Sequence, residues 1–389
     1  MFKKVKVLLI QPLWTSKRVK RFIKKILSPF LPEIKKVSVF NHNDIKIHYI
    51  YPASEFKMPL LKDVYGDTHP LFGPYSCSTP EAYVIEITNG RCEVGREEVY
   101  TSENHAISEI TSQKTIPRFG RPVRKNARKI KGSVAYLALS GLENNYYHFC
   151  VEWLSRLHLI RRSMLDIDFF IVPRTHSFQR QYIDLLGIDE KKILNFEDGD
   201  YIEAEHLIVP SLINNWEHIK YRGHGSFLKQ WLPNWIGNVY EMLQTKEETN
   251  HDYNRKIYIS RSSAAYRKID NETVIEKILT EFGFSAYRLE EMTVKQQIEL
   301  FKNAECIVSV HGAGLVNMSY SQSTATILEL YPEYYHDSGM RIQAVALGHR
   351  YEYLIGKTLR IDNIHPQQEN VYIDPIKFER AMLNIFGPR

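Results

Sequence analysis

Cysteine is scarce in this chain of 389 residues. Cys77, Cys92, Cys150 and Cys306 stand far apart, and no two make a Cys-x-x-Cys pair. That spacing argues against a disulfide framework and a zinc knuckle, and it fits a reducing compartment. No apolar run reaches the length of a membrane span, and the pattern of a signal peptide is missing. The apolar stretch at residues 2–10 is too short for either and reads as an opening strand. Charge of one sign is not in large excess. The 51 basic and 45 acidic residues leave a net +6, which suits an anionic substrate or a membrane surface better than nucleic acid. No internal repeat or low-complexity tract is present. Two nucleotide signatures are also missing: the third glycine of the dinucleotide fingerprint and the Gly-Lys-Ser/Thr of a Walker loop.

The stretch around which the chain is organised is Cys306-Ile-Val-Ser-Val-His-Gly-Ala-Gly-Leu-Val-Asn317. Residues 306–310 are apolar and β-branched and read as a buried strand. His311, Gly312, Ala313 and Gly314 then lead into a helix start. Such a turn leaves backbone N–H groups aimed at one spot, which makes an anion site. The two glycines let a phosphate approach, and His311 adds a donor. A tight strand-to-helix turn with a capping histidine is the other reading of the same residues.

The length suggests two domains. We expect a domain over 1–245, whose first 131 residues are a β-rich elaboration, then a domain over 255–356, and a tail over 357–389 that packs back on the N-terminal domain. The linker is placed at 245–254, which is charged and lacks apolar periodicity. Residues 17–36 have Val19, Phe22, Ile23, Ile26 and Leu27 at helical spacing among lysines and arginines. That is either a basic amphipathic helix on an anionic bilayer or an ordinary surface helix kept short by Pro29 and Pro32. Residues 37–50 and 83–100 read as strands, with a hairpin turn at Asn89-Gly90. Residues 52–80 read as irregular and 111–131 as a basic loop. From Gly132 onward strands alternate with helices, which predicts parallel sheets covered by helices. In the first domain these are strands at 134–139, 169–173 and 206–210, with helices at 145–162, 178–186 and 227–243. In the second they are strands at 256–260, 284–289, 306–310, 326–330 and 351–355, with helices at 271–282, 293–304 and 338–347. A last helix follows at 375–386. Ligands of such folds bind at the carboxyl ends of the strands.

Two further constellations could carry chemistry. In Asn144-Asn-Tyr-Tyr-His-Phe-Cys-Val-Glu152, His148 and Glu152 are four apart and share a helix face just past a strand end. A carboxylate held against Tyr146, Tyr147, Phe149 and Trp153 could act as a base, and a sugar could stack there; a structural His–Glu pair is the alternative. Two ligands alone make a weak metal site. In Tyr258-Ile-Ser-Arg-Ser-Ser-Ala-Ala-Tyr-Arg-Lys268, Arg261 and Arg267 follow a strand of the same domain as the anion turn and would suit a diphosphate, unless the loop is merely solvated. Asn271 reads as a helix N-cap. Glu329 closes a strand and either holds ribose hydroxyls or is a helix-capping or ion-paired residue.

Taken in order, the Asn-Tyr-Tyr-His-Phe-x-x-Glu helix, Tyr-Ile-Ser-Arg, Glu-x-Met-Thr-x-x-Gln-Gln, His-Gly-Ala-Gly-Leu-Val-Asn and Ile-Leu-Glu-Leu resemble glycosyltransferase family 61. The resemblance spans residues 132–355. It implies an α/β fold of the GT-B type: two Rossmann-like, doubly wound domains facing a cleft. It implies inverting transfer of a sugar from a nucleotide-sugar, usually UDP-linked, with no cofactor and no essential metal. The donor residues it implies are Arg261, Arg267, His311, Gly312, Ala313, Gly314, Asn317 and Glu329, with Glu290, Met292 and Thr293 lining the nucleobase. Glu152 is the implied base, with His148 as orienter or alternative, and Asn145, Tyr147 and Trp153 would meet the acceptor. The expected partners are the nucleotide-sugar and a glycan or glycolipid, with no nucleic acid. The expected setting is a bacterial-type cytoplasmic enzyme of capsule or lipopolysaccharide synthesis, peripheral on the inner face of the membrane if 17–36 binds it. The alternatives are another transferase of this fold, moving pyruvyl or phosphosugar groups, or a non-catalytic glycan-binding or assembly protein.

Overall fold

The computed structural model describes residues 36–387 apart from 70–71, 96–97, 111–126, 139–140, 198, 214–216, 222–223, 230, 244–251 and 360–363. The expected strand at 2–10 and almost all of the basic segment at 17–36 lie outside the described residues, as do most of the 111–131 loop and most of the linker.

The architecture is mixed α/β, as expected. The C-terminal sheet has five parallel strands: β13 (Lys256–Ile259), β14 (Ser285–Tyr287), β15 (Cys306–Val310), β16 (Thr326–Tyr331) and β17 (Arg350–Ile355). Their spatial order is β14-β13-β15-β16-β17. The apolar runs are continuous because both faces are covered: Ile307, Val308 and Val310 are each fully buried. The connecting helices are α5 (Glu272–Glu281), α6 (Val294–Lys302) and α7 (Gly339–Leu347). Strand order reverses between β13 and β15, so a crevice opens outside the carboxyl ends of these two strands.

The N-terminal sheet is not the doubly wound copy that was expected. Among the described residues it has eight strands in the order β1-β7-β6-β5-β10-β8-β9, with β2 also on β5. These are β1 (Lys36–Val37), β2 (Ile45–Tyr51), β5 (Ala82–Glu93), β6 (Val99–Tyr100), β7 (Ala106–Ile107), β8 (Arg128–Tyr136), β9 (Phe169–Ile171) and β10 (Tyr201–Pro210). The trio β9-β8-β10 is parallel, while β5 runs antiparallel to β10. The helix expected at 145–162 forms as α1 (Tyr146–His148), a π turn (Phe149–Trp153) and α2 (Leu154–Ser163); α3 (Ser177–Leu185) follows β9.

Three expectations fail here. No hairpin turns at Asn89-Gly90, because β5 runs straight through it. A Cβ on Gly90 would come within 2.8 Å of Ile87 and Leu207 Cβ atoms, so the glycine serves close packing rather than a turn. Residues 52–80 are not irregular throughout but contain the hairpin β3 (Ser54–Met58) and β4 (Tyr75–Thr79). The helix expected at 227–243 is instead the end of a second hairpin, β11 (Glu217–Tyr221) with β12 (His224–Lys229), followed by the short α4 (Ile236–Glu241).

The tail is also placed differently. Its helix α8 (Pro375–Phe386) lies on α5 of the C-terminal sheet, and Phe378, Ala381 and Met382 join Ile275, Leu279 and Val310 in one core. Asn271 explains the attachment. It stands at the N-cap position of α5 but spends its side chain on Ile373, donating to the carbonyl at 2.7 Å and accepting from the N–H at 3.1 Å. From the N-terminal half, Tyr65 donates to the Lys377 carbonyl at 2.7 Å.

The largest core runs without a break from Phe149, Trp153 and Leu157 of the N-terminal half to Ile257, Ile307 and Leu315 of the C-terminal sheet. Its polar centre is a latch. Tyr146 donates to Asn317 Oδ1 at 2.8 Å, Asn317 Nδ2 donates to Gln297 Oε1 at 2.8 Å, and the Tyr182 and Tyr320 hydroxyls meet at 2.8 Å. Gln181 of α3 accepts from the first N–H of α6, Val294, at 2.8 Å.

Candidate active site

The crevice at the β13/β15 crossover holds a cavity of about 480 Å³. Tyr146, Ser177, Phe178 and Gln181 line it from the N-terminal half. Arg261, Ser263, Leu289, Glu290, Met292 and Gly314 line it from the C-terminal half.

Arg261 leaves the end of β13. Glu272, in the first turn of α5, accepts from Tyr258 at 2.6 Å and Ser260 at 2.7 Å, which fixes that strand end. Among the described residues the Arg261 guanidinium donates only to backbone carbonyls, those of Arg267 at 3.3 Å and Tyr266 at 3.2 Å. Arg267 is buried, at 7 % exposure, in the left-handed region at φ 57°. It donates to the Gln367 carbonyl at 3.2 Å, stacks over Tyr266 and Tyr335, and leaves Nε without a hydrogen-bond partner. Among the described residues neither arginine has a carboxylate within ion-pair distance. Burial draws both guanidinium groups below their ordinary pKa, and the charge of Arg267 draws Arg261 down further. Arg267, buried, and Arg261, half-buried, lie near the charges of Glu290, Asp337 and Glu329 without pairing with any of them, which leaves them placed to take an anion.

The turn after β15 completes the site. A Cβ on Gly312 would lie 2.4 Å from Arg261 Nη1, so this glycine is there because the guanidinium rests on the turn. A Cβ on Gly314 would lie 2.8 Å from Leu289 Cδ1. The helix that opens here, Ala313–Tyr320, is 3-10 rather than α, and no side chain caps it.

His311 is 6 % exposed. Its Nδ1 is 2.6 Å from Glu329 Oε1, and its ring stacks on Tyr331. Glu329 is fully buried and also accepts from Tyr331 at 3.0 Å and from Tyr351. This corrects one expectation. Glu329 sits behind His311 and holds its ring, so it has no face left for ribose.

His148 Nδ1 and Glu152 Oε1 are 2.7 Å apart, one turn along α1 and the π turn. Side-chain exposure is 19 % for His148 and 7 % for Glu152. Neither lines the cavity itself. Tyr147, next to them in sequence, puts its hydroxyl 3.0 Å from where a Gly339 Cβ would sit. Burial raises Tyr147 well above the usual phenol range, and the charges of Asp337, Glu152 and Glu329 all push the same way. Tyr147 is therefore a common neighbour of the His148–Glu152 pair and the carboxylate behind His311.

Other expected residues fall elsewhere. Trp153 is fully buried, stacked on Phe149 at 4.5 Å, and cannot meet an acceptor. Asn317 is fully buried in the latch and acts through Tyr146. Thr293 caps α6 in a capping box with Gln296 and does not line the cavity. Asn145 caps α1 by accepting from Tyr147 N–H at 2.9 Å. Glu290 and Met292 do line the cavity, as does Arg261. The segment Tyr335-His-Asp337 escaped the sequence reading. It follows the strand beside β15, which was the available signal. Tyr335 packs on both Arg267 and His311, and Asp337 accepts from the first N–H of α7 at 2.7 Å.

Residues 146–328 match the family model described as Glycosyltransferase 61. The chain is a glycosyltransferase. Its glycosyltransferase domain opens on the helix of His148 and Glu152, contains Arg261, Arg267 and His311, and closes one residue before Glu329. No curated protein matches the chain. Among the described residues no helix is long and apolar enough to cross a membrane.

Proposed function

We propose that this glycosyltransferase moves a sugar from a UDP-linked donor to a glycan or glycolipid hydroxyl, with inversion and without an essential metal. The observation that carries the reading is the pair Arg261 and Arg267 at the β13/β15 crossover, one half-buried and one buried guanidinium, neither ion-paired among the described residues, beside a helix-opening turn. Arg261, Arg267 and the N–H groups after Gly312 take the diphosphate, doing with fixed charge what a divalent ion does elsewhere. His311, braced by Glu329, adds a donor on the same side. Leu289, Glu290 and Met292 flank the nucleoside.

The acceptor oxygen attacks the anomeric carbon, the bond from that carbon to the diphosphate oxygen breaks, and the hydroxyl proton leaves to the His148–Glu152 pair. We assign His148 as the base and Glu152 as the carboxylate that orients it, reversing the order that spacing suggested, because His148 is the more exposed member. The reading has the two halves acting as facing lobes of a GT-B-like enzyme, cytoplasmic and engaged in surface-polysaccharide synthesis. A donor-hydrolysis and transfer screen across nucleotide sugars tests it. One UDP-sugar consumed, with loss of consumption in H148A, is the expected result. No turnover of any nucleotide sugar, with glycan binding retained, leaves the non-catalytic binder instead.

A further inference from the structure

The N-terminal elaboration carries a side-chain cluster that sugar transfer does not use. His42 follows the 3-10 turn Val39–Asn41 ahead of β2, while Glu103 and His105 stand on the turn between β6 and β7. One ligand-capable atom from each lies within 4.8 Å of the other two. The imidazole rings meet edge to face at 6.0 Å, and the Glu103 carboxylate is 3.4 Å from His105 Nδ1. That nitrogen is shut off from solvent and has no hydrogen-bond partner, a state that calls for an explanation in a native fold.

The two loops are tied to each other. Ser102 Oγ donates to Asp44 Oδ2 at 2.7 Å, and the Asp44 carbonyl accepts from Thr88 N–H at 3.1 Å. The turn closes through Thr101 N–H to His105 C=O and Asn104 N–H to Thr101 C=O, each 2.9 Å, with Asn104 left-handed at φ 65°. Arg91, the nearby cation, holds Asn104 and is already paired with Glu203. Glu103 and Asp44 therefore leave the spot net acidic.

We propose that His42, Glu103 and His105 bind a divalent transition-metal ion of the zinc type, which clips the start of β2 to the β6–β7 turn. Two imidazoles and a carboxylate are a recognised zinc donor set, with a fourth position for water. Bonds of about 2.0–2.2 Å need the three atoms to close in by about an ångström. His42 Nδ1 now accepts a 3.3 Å contact from Asp44 N–H. Ligation there gives up that weak contact, and ligation at Nε2 moves the ring proton to Nδ1. The ion joins segments far apart in sequence, so binding adds to folding stability. β7 lies four strands from β8, roughly 19 Å at about 4.8 Å per strand, so the clip is structural and separate from the transfer site.

The test uses the full chain, stripped with a chelator and titrated with zinc and with cobalt(II). One saturable site, a cobalt ligand-field band and a raised thermal midpoint are expected. All three should be lost in H105A, and affinity should fall about tenfold or more in H42A and E103Q. Should H105A fail to fold, the cobalt band of E103Q decides, since Glu103 is exposed. Zinc binding by the variants equal to that of the unchanged chain, or no binding by the unchanged chain, overturns the proposal.

Discussion

Replacing Arg261 with alanine separates a ligand-binding cation from a structural one. In the unliganded protein the guanidinium makes two long hydrogen bonds, to the Tyr266 and Arg267 carbonyls. Each is worth about 0.5–1.5 kcal/mol. Their loss is offset by removing a desolvated charge that repels Arg267. Stability should therefore move by no more than about 1–2 kcal/mol. With UDP bound, the same group makes charge-assisted, forked bonds to a phosphate in a poorly solvated site. Those bonds contribute about 2–4 kcal/mol, so Kd should rise about 30- to 700-fold in R261A. R261K keeps the charge and loses the fork, and should fall between the two. Calorimetric titration with UDP and urea unfolding measure the two quantities side by side. A variant that loses more than about 3 kcal/mol of stability while binding UDP normally would show that Arg261 supports the fold only.

Gly312→Ala should imitate R261A, because its Cβ would displace the guanidinium from 2.4 Å; matched UDP affinities of G312A and the unchanged protein would count against the packing argument. H148A and E152Q should lower kcat about 10²- to 10⁴-fold while leaving UDP affinity within about twofold; parallel loss of both would remove the pair from proton transfer. E329A should destabilise the protein by about 3–5 kcal/mol, since it strands His311, Tyr331 and Tyr351 around an empty space, and E329Q should cost less; urea midpoints measure both. Acid should destabilise the fold through His336, whose pKa burial lowers to about 3, and through His158, lowered to about 4 by burial and Arg162. Both are bound neutral in the fold and take up protons on unfolding, so their contribution is complete above about pH 6.5 and lost as pH falls from there towards 3–4. H336F should flatten this slope, measured as unfolding free energy against pH, and an unchanged slope would contradict the assignment.

The C-terminal sheet was legible because its strands are covered on both faces, which writes them as mostly apolar runs such as Cys306–Val310, where Ser309 is the exception. The crossover site was legible for the same reason: Arg261 and His311 stand just past the ends of two such runs. The N-terminal sheet was not. Asn89-Gly90 is a turn dipeptide by local chemistry, and only Ile87 and Leu207 reveal why glycine stands there. Burial was the other invisible quantity. Trp153, Asn317 and Glu329 are the residue types that bind sugars and nucleotides, yet all three are fully buried and spent on neighbours. Tyr146 lines the cavity and Tyr335 packs on Arg267 and His311 instead. Spacing placed His148 beside Glu152 correctly, but the order of their roles depends on which one faces outward.

The most direct test is a crystal structure with UDP bound. The account predicts the diphosphate within hydrogen-bonding distance of the Arg261 guanidinium and the N–H groups of Ala313 and Gly314, with the nucleoside against Leu289 and Met292. A diphosphate bound away from the β13/β15 crossover, with Arg261 untouched, contradicts it.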